Sequence, residues 1–212
     1  MPTFGELKSR VAKEINRDDV DGCGDLDLTG ILNQSIRYYA SKRFWFNQKI
    51  GTTTTTASDS TVARPTGLRF EDVSADGWGA FITVSGDDRQ MRKRSLLEIQ
   101  CLRAGNTSEN QPTDYADNGA NWELYPTPNA VYTLTAPGVY DETAITDDST
   151  STDWTNNAED LITARARIIL GRDWLFDESM EAAASRAEGD ALRRLVAETT
   201  RRVGTGVIRG HL

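Results

Sequence analysis

The side chains that most often do chemistry are scarce in this 212-residue chain, which has one histidine and two cysteines. The histidine, His211, precedes the last residue, and a catalytic histidine needs a rigid shell of partners to orient it. Zinc sites need clustered cysteine and histidine, and Cys23 and Cys101 form no such cluster. A phosphate-binding glycine loop and a dinucleotide fingerprint are also absent. The sequence therefore predicts no catalytic, metal or cofactor site, and we expect a protein that is not an enzyme.

Carboxylates are abundant, so a pair of acids that hydrolyses glycosidic bonds has to be considered. The candidates are Glu98, Glu123 and Asp141, and no sequence context sets them apart from surface acids. The run Asp147-Asp148-Ser149 is acidic but lacks the spaced ligands of a calcium loop. A hydrolase with a carboxylate pair is thus the least favoured function.

Basic residues cluster in two places. The first is a short predicted strand near 90–94, where the cluster either keeps a solvated edge strand from aggregating or docks an acidic surface. The second is the C-terminal helical region, where every positively charged side chain before the tail is an arginine, a residue favoured at interfaces. Pairing along the helix, as between Glu198 and Arg202, is the simpler explanation there. We expect contacts with a neighbouring subunit or partner at Arg89, Arg92, Lys93, Arg94, Arg193, Arg194, Arg201 and Arg202.

The net charge is −8, which argues against a dedicated nucleic-acid-binding protein because such proteins need a basic face. No lysine or arginine occurs between Arg103 and Arg165, and eleven acidic residues fall in that interval. Either the interval forms a solvated surface, or it forms a negative surface along which another anion slides.

Only 38% of the residues are hydrophobic and the mean hydropathy is −0.52, so we expect a globular chain with a thin core, stabilised in part by neighbouring subunits. The sequence contains no apolar run long enough for a membrane span and no basic, apolar leader. We therefore expect free thiols in a reducing cytoplasm.

Helical periodicity occurs at both ends of the chain. Thr3 and Glu6 have capping-box spacing before a helix predicted over 4–16. A second helix, capped by Asp25 or Asp27, is predicted to continue to Phe46 and to end in a dense run of aromatic side chains. Near the C-terminus, one helix is predicted over 157–176, and a last helix, capped by Asp177 or Ser179, is predicted to reach about Val203.

The predicted last helix and the tail carry two further signals. Gly189 weakens the helix by roughly 1 kcal/mol relative to alanine, so we expect it to mark a tight helix–helix contact. Residues 204–212 contain three glycines around an apolar Val207-Ile208 pair. They are either a frayed tail or an arm that becomes ordered on a partner, for example by adding a strand to its sheet.

The middle of the chain is rich in Thr, Asp, Gly and Pro and predicts short strands and turns, with one short helix over 96–102. The fold class is therefore α+β: a helical bundle formed by the N- and C-terminal helices, with an inserted β-rich module. The predicted divisions are 1–49 for the first part of the bundle, 50–151 for the module, 152–203 for the second part, and 204–212 for a flexible C-terminal arm.

The order of these elements has a familiar pattern. The N-terminal helix pair ends in Arg43-Phe-Trp-Phe-Asn47 and is followed by a Thr-rich strand. The motifs Pro112-Thr-Asp-Tyr-Ala116 and Trp122-Glu-Leu-Tyr-Pro-Thr-Pro128 come next, then an Asp147-Asp148 turn with Trp154 and a C-terminal helix pair. In this layout the chain resembles the head–tail adaptor, or connector, proteins of short-tailed bacteriophages and their relatives.

The resemblance implies a virion structural protein, made in the host cytoplasm and located at the head–tail junction. It implies a ring, dodecameric in such proteins, that extends the DNA channel below the portal, seals it, and receives a tail or nozzle protein. Double-stranded DNA would pass without sequence-specific binding, and no membrane is involved. A C-terminal arm engages the portal in such proteins, and here its contacts would be Val203, Val207, Ile208, Arg209, His211 and Leu212.

A carbohydrate-binding or tail-fibre-type module is the alternative function. In that reading the β-rich part binds glycans, and Trp78 and Trp122 stack on sugar rings.

Overall fold

A computed structural model of the protein describes residues 1–15 and 27–203. The chain divides into two compact units: a helical unit of Met1–Asn47 with Glu142–Leu212, and a β unit of Gln48–Asp141. These divisions at 47/48 and 141/142 are the observed counterparts of those predicted at 49/50 and 151/152. The predicted α+β class is confirmed by helices and a large mixed sheet. Within the described ranges, no helix combines the length and apolar character that crossing a membrane requires.

Helix α1, Phe4–Glu14, begins at the predicted capping box. The Glu6 amide donates to Thr3 Oγ1 at 3.3 Å, and the Thr3 amide donates to Glu6 Oε2 at 2.8 Å. Two amides that the helix itself leaves without acceptors are satisfied in this way. Phe4, Leu7 and Val11 form the buried stripe expected from the periodicity.

Helix α2, Leu28–Tyr39, is capped by Asp27, which accepts a hydrogen bond from the Gly30 amide. The prediction that this helix continues to Phe46 was wrong. The Asn47 side chain accepts from the Phe44 amide at 2.9 Å and donates to the Lys42 carbonyl at 2.8 Å, so it holds a turn rather than a helix. This turn directs the aromatic run inward.

The aromatic run packs on a residue from the other end of the chain. Phe44 and Phe46 stack with their centroids 5.4 Å apart, and both meet Trp154 edge-on at 5.9 and 5.1 Å. All three side chains are buried. Such pairs stabilise beyond their burial because the positive ring edge meets the negative ring face.

The returning chain is also attached to α1 and α2 through hydrogen bonds. The Asn33 side chain accepts from the Ile145 amide at 2.9 Å and donates to the Ile145 carbonyl at 2.8 Å. The amides of Phe4 and Gly5 donate to the carbonyls of Thr150 and Asp148, both at 2.9 Å. The segment 142–152 is therefore part of the helical unit's framework.

The C-terminal helices differ from the single helix predicted over 157–176. They are α4 (Asp153–Asn157), α5 (Glu159–Leu170), a π-helical turn (Gly171–Leu175) and α6 (Glu178–Val203). The chain then turns at Phe176, a left-handed residue with φ of 51°, and Asp177 Oδ1 accepts from the Ser179 and Met180 amides at the start of α6. The predicted range of the last helix is confirmed.

The β unit contains one long sheet whose strand order is β1-β10-β4-β5-β7-β8-β2, with β3 paired beside β10. All neighbours are antiparallel except β5 and β7, which are parallel because helix α3 (Leu96–Gly105) crosses over between them. The two end strands approach each other, so the sheet curls. The strand bounds are β1 Gln48–Thr54, β2 Thr61–Ala63, β3 Leu68–Glu71, β4 Trp78–Val84, β5 Asp87–Lys93, β6 Glu109–Asn110, β7 Asp114–Asn118, β8 Asn121–Tyr125, β9 Thr127–Pro128 and β10 Thr133–Tyr140.

The inner face of the sheet is filled by alternating apolar residues, with Trp122, Leu124 and Leu134 fully buried. Gly79 permits the closest approach in this core, because a Cβ there would lie 2.1 Å from the Tyr115 hydroxyl. That hydroxyl accepts a hydrogen bond from the Ala80 amide, so Tyr115 satisfies its polar end within the core.

Replacing Trp154 by alanine is expected to lower the free energy of unfolding by about 3–5 kcal/mol, because it leaves a cavity beneath Phe44 and Phe46. Urea denaturation measures this loss. The matched control is Trp174→Ala, the same truncation at a side chain that is 49% exposed, which should cost below about 1 kcal/mol. Equal losses for the two variants would contradict the role given to the aromatic cluster.

Candidate interaction surfaces

The predicted portal-binding arm lies almost wholly outside the described residues. Val203 ends α6, and Val207, Ile208, Arg209, His211 and Leu212 follow in the range that the structure does not describe. Their assignment to a portal contact remains a prediction.

The basic cluster on β5 is divided between internal and surface roles. Lys93 forms an ion pair with Glu71, and Arg94 forms one with Asp114, so these two side chains bind within the β unit. Arg89 and Arg92 are exposed. In the strand order β5 lies between β4 and β7, but β7 pairs only with Arg92 and Lys93. The part of β5 that contains Arg89 therefore has a strand partner on one side only, as the solvated-edge alternative requires.

The partner of Lys93 is a buried acid. Glu71 is 7% exposed, and neither of its carboxylate oxygens accepts a hydrogen bond of ordinary geometry from the described residues. Lys93 is therefore the group that compensates this charge, and its own side chain is 35% exposed. Burial together with the nearby Glu71 charge raises the pKa of the Tyr115 hydroxyl.

The arginines of α6 make contacts of two kinds. Arg202 lies over the Trp45 ring at 3.7 Å and donates to Glu198 at 2.5 Å. Arg194 binds Asp160 at 3.1 Å. These two therefore fasten α6 to its own unit rather than lying free for a partner.

The other two predicted α6 contacts, Arg193 and Arg201, point outward. Both are exposed, and Arg193 pairs only with the neighbouring Asp190 on the same helix. Arg201 has no ion pair with another residue in the described ranges. Gly189 also faces open space, since a Cβ there would meet nothing within 4 Å, so the expectation of a tight contact inside the chain at Gly189 was wrong.

A second arginine stack joins α5 to the end of α2. Arg165 lies 3.8 Å from the Tyr38 ring centroid and 3.5 Å from the Glu188 carboxylate. The Tyr39 hydroxyl donates to that same carboxylate. Burial, and then the hydrogen bond to Glu188, raise the pKa of the Tyr39 hydroxyl well above its ordinary value near 10.

Six of the eleven acidic residues of the interval between Arg103 and Arg165 are exposed, so the interval is in part the solvated surface that the sequence suggested, and many of its acids are also ion-paired. Seven of its eleven carboxylates lie within 4 Å of a lysine or arginine that comes from outside the interval, so most of its charge binds it to the rest of the fold. The seven pairs are Asp114–Arg94, Asp117–Arg64, Glu123–Arg103, Asp141–Arg69, Asp148–Lys8, Glu159–Arg10 and Asp160–Arg10.

The acids considered for hydrolysis have separate structural roles. Glu98 completes the capping box of α3 with Ser95, whose hydrogen bonds lower the pKa of that carboxyl. Glu123 pairs with Arg103 at 2.6 Å, and Asp141 pairs with Arg69 at 3.1 Å. Within the described ranges, no three histidine, cysteine or acidic side chains cluster as metal ligands.

The glycan-binding alternative loses one of its two tryptophans. Trp122 is fully buried against Tyr115 in the sheet core, so it cannot stack on a sugar, while Trp78 is 40% exposed. Alternation on β8 places Trp122 inward, a feature that residue type alone did not reveal.

The turn between α5 and α6 was not expected from the sequence. Trp174 is 49% exposed and Phe176 is 82% exposed there, beside the π-helical turn. Both residues lie at the end of the helix predicted over 157–176, where a regular helical pattern gave no sign of the π-helical turn or of the left-handed residue. A pocket of about 280 Å³ also lies in the helical unit, lined by 156–161 and by α6.

A match to a known protein family is consistent with the order of elements along the chain. The family model described as SU10 adaptor protein matches residues 2–210, nearly the whole sequence. No match was found among curated proteins.

Replacing Lys93 by methionine is expected to lower the free energy of unfolding by about 2–4 kcal/mol, because the Glu71 charge is left buried without a partner. The double variant Lys93→Met/Glu71→Gln should recover part of this loss, since no charge then remains buried. Urea denaturation of both measures the difference. Arg92→Met, the matched exposed control, should change stability by less than about 0.5 kcal/mol. A double variant less stable than Lys93→Met would contradict this account.

The raised pKa of Tyr39 predicts a loss of stability in alkaline solution. The folded-state pKa lies above the unfolded value near 10, so the stabilisation is complete below about pH 10 and falls as the pH rises from there toward the folded-state pKa. Urea denaturation between about pH 8 and about pH 10.5 should show this fall.

Tyr39→Phe and Glu188→Gln should both flatten this dependence, the first by removing the titrating group and the second by removing the charge beside it. Tyr115 and Tyr140, whose pKa values are also raised, account for the part of the slope that persists. A slope identical to wild type in both variants would contradict the assignment to Tyr39.

Proposed function

We propose that this chain, which belongs to the SU10 adaptor protein family and is a bacteriophage adaptor protein, forms a ring of copies between the portal and the tail of the virion. The ring extends the DNA channel beyond the portal and closes it after packaging. Twelve copies are the expected number, matching the resemblance to dodecameric adaptors. The observation that carries this proposal is the family match over residues 2–210.

The division into two folded units supports a protein with two partners. Each unit has its own buried core, centred on Leu7, Phe44 and Trp154 in one and on Trp122 and Leu134 in the other. Surfaces of the two units can therefore serve different proteins. In this proposal the arm 203–212 binds the portal and the β unit receives the tail or nozzle protein.

The charge distribution supports passage of DNA without tight binding. The net charge is −8, and many basic side chains are engaged with acids of the same chain, as Arg10, Arg64 and Arg103 illustrate. Phosphate contacts would release counterions and hold the duplex, which a channel must avoid. Double-stranded DNA therefore moves through the ring in this proposal without sequence-specific contacts.

Ring formation also explains how a protein with a small apolar core can bind its partners firmly. Each contact between a copy and the portal ring can be weak, because many identical contacts act together once the ring is assembled. No catalytic step is needed for this role, which consists of holding other components in position.

Electron microscopy of the full chain mixed with purified portal rings of the same virus tests the proposal. The expected image is a ring of added density on one end of the portal. The double variant Val207→Asp/Ile208→Asp should weaken portal binding by about tenfold or more, because charged side chains replace the apolar contacts of the arm.

Leu97→Asp is the matched control, the same kind of change at a side chain of α3 that is 74% exposed in the β unit. It should leave portal binding unchanged. Failure of the wild-type chain to bind portal rings under assembly conditions would refute the proposal, and equal loss in both variants would refute the role of the arm.

A further inference from the structure

The turn between α5 and α6 presents two large aromatic side chains to solvent. We call residues 172–178 the hairpin tip. Phe176 is 82% exposed and Trp174 is 49% exposed. All other residues of the tip are exposed as well, except Leu175. Aromatic side chains that project from a folded unit in this way mark contact sites.

The backbone at the hairpin tip is held in an uncommon conformation. Phe176 has φ of 51°, in the left-handed region that bulky residues rarely occupy. The turn before it is π-helical, a form that frequently occurs at functional sites. This conformation directs Phe176 into water rather than into the unit's own core, so the folded chain gains no packing from it.

The surroundings of the hairpin tip are acidic. Asp173, Asp177, Glu178 and Glu181 lie within ten residues that contain one basic side chain, Arg172. Arg172 binds Asp173 and Asp177 caps α6, so Glu178 and Glu181 are the acids left for a partner. A surface that fits the tip must therefore combine positive charge with groups that can contact aromatic rings. Arginine meets both requirements, because its planar guanidinium pairs with carboxylates and stacks on rings.

The helical unit carries a surface of that kind on α6. We define the arginine face as the exposed side of α6 that contains Arg186, Arg193 and Arg201, which spans about 22 Å. Between these arginines the helix surface is low, since Gly189 faces open space and Ala197 is small and exposed. Asp190 is the one exposed acid between Arg186 and Arg193, and it pairs with Arg193 on the same helix. Arginine already stacks on aromatic rings twice inside this unit, at 3.8 and 3.7 Å.

The hairpin tip and the arginine face of one chain cannot meet each other. The tip leads directly into α6, and Arg193 lies about 24 Å along that helix from Asp177. A continuous helix does not fold back on itself, so the complementary surface has to come from another molecule.

We propose that the hairpin tip of one copy docks on the arginine face of α6 of a second copy. This inference rests on the proposed ring and names the contact that builds it. Trp174 and Phe176 stack among the arginines, and Glu178 and Glu181 beside them pair with the guanidinium groups. The two surfaces are different, so each copy keeps one of each free, and the contact repeats from copy to copy until a ring closes.

Photo-crosslinking of the full chain tests the contact directly. A benzophenone side chain, introduced as Phe176→p-benzoylphenylalanine, replaces one exposed aromatic group by another and leaves the core intact. Irradiation of the free protein and of its complex with purified portal rings, followed by mass spectrometry, identifies what lies against the tip. A cross-link to residues 182–201 of another copy supports the proposal. A cross-link elsewhere on a copy, a cross-link to the portal, or no cross-link in either sample overturns it.

Mixing two complementary variants provides the second test. The tip variant Trp174→Ser/Phe176→Ser and the face variant Arg186→Glu/Arg193→Glu should each weaken self-association by about tenfold or more. A mixture should form one-to-one dimers and nothing larger, because only one productive junction remains per pair. Sedimentation of each variant and of the mixture measures this, with circular dichroism to establish folding. Leu97→Ser, at an exposed position of the β unit, is the control that keeps wild-type association.

A mixture that behaves as the sum of its two components, while the wild-type chain self-associates, overturns the proposal. Portal binding is measured separately, so the two proposals fail independently. Portal binding without the cross-link removes the tip contact alone, and the cross-link without portal binding removes the adaptor position alone.

Discussion

The helical unit depends on contacts between two segments that are about a hundred residues apart in sequence. Trp154 lies edge-on against Phe44 and Phe46, and the Asn33 side chain forms two hydrogen bonds with the backbone of Ile145. Helices α1 and α2 are short and amphipathic, so they are stable only when their apolar faces pack against other segments of the unit. The entropy lost in joining such distant segments is offset here by burial of large aromatic surfaces.

Ion pairs add to the stabilisation that the small apolar core provides. Arg10 binds Glu159 and Asp160, and Arg103 anchors α3 on Glu123 together with the carbonyls of Ser60 and Leu124. Exposed ion pairs contribute little individually, but these also set which segments lie side by side. Most acids of the acidic interval are thus ion-paired within the fold, while Arg186 and Arg201 on α6 are exposed to solvent.

The sequence predicted what local patterns determine. The capping box at Thr3 and the end of α6 were predicted correctly, because each depends on residues a few positions apart. Of the two caps proposed for α6, Asp177 is the one observed. The end of α2 was not, because the Asn47 side chain closes a turn that no periodicity reveals. The internal pairing of Lys93 and Arg94 was also hidden, since their partners Glu71 and Asp114 lie twenty or more positions away in the sequence. The exposure of Phe176 follows from one left-handed backbone conformation, which a bulky residue does not signal in advance.

The chain enters the β unit on strand β1 and leaves it on strand β10, and these two strands are neighbours in the sheet. Gln48 and Val139 are register partners on β1 and β10, so the first and last strands of the inserted unit lie about 5 Å apart. Because the two ends of the inserted unit are close together, a linker of a few residues can replace the whole unit and reconnect the helical unit. Evolution can therefore exchange or remodel this insert while the helical unit built from the two chain ends persists unchanged, and gene fusion experiments can use the same junction to graft foreign domains.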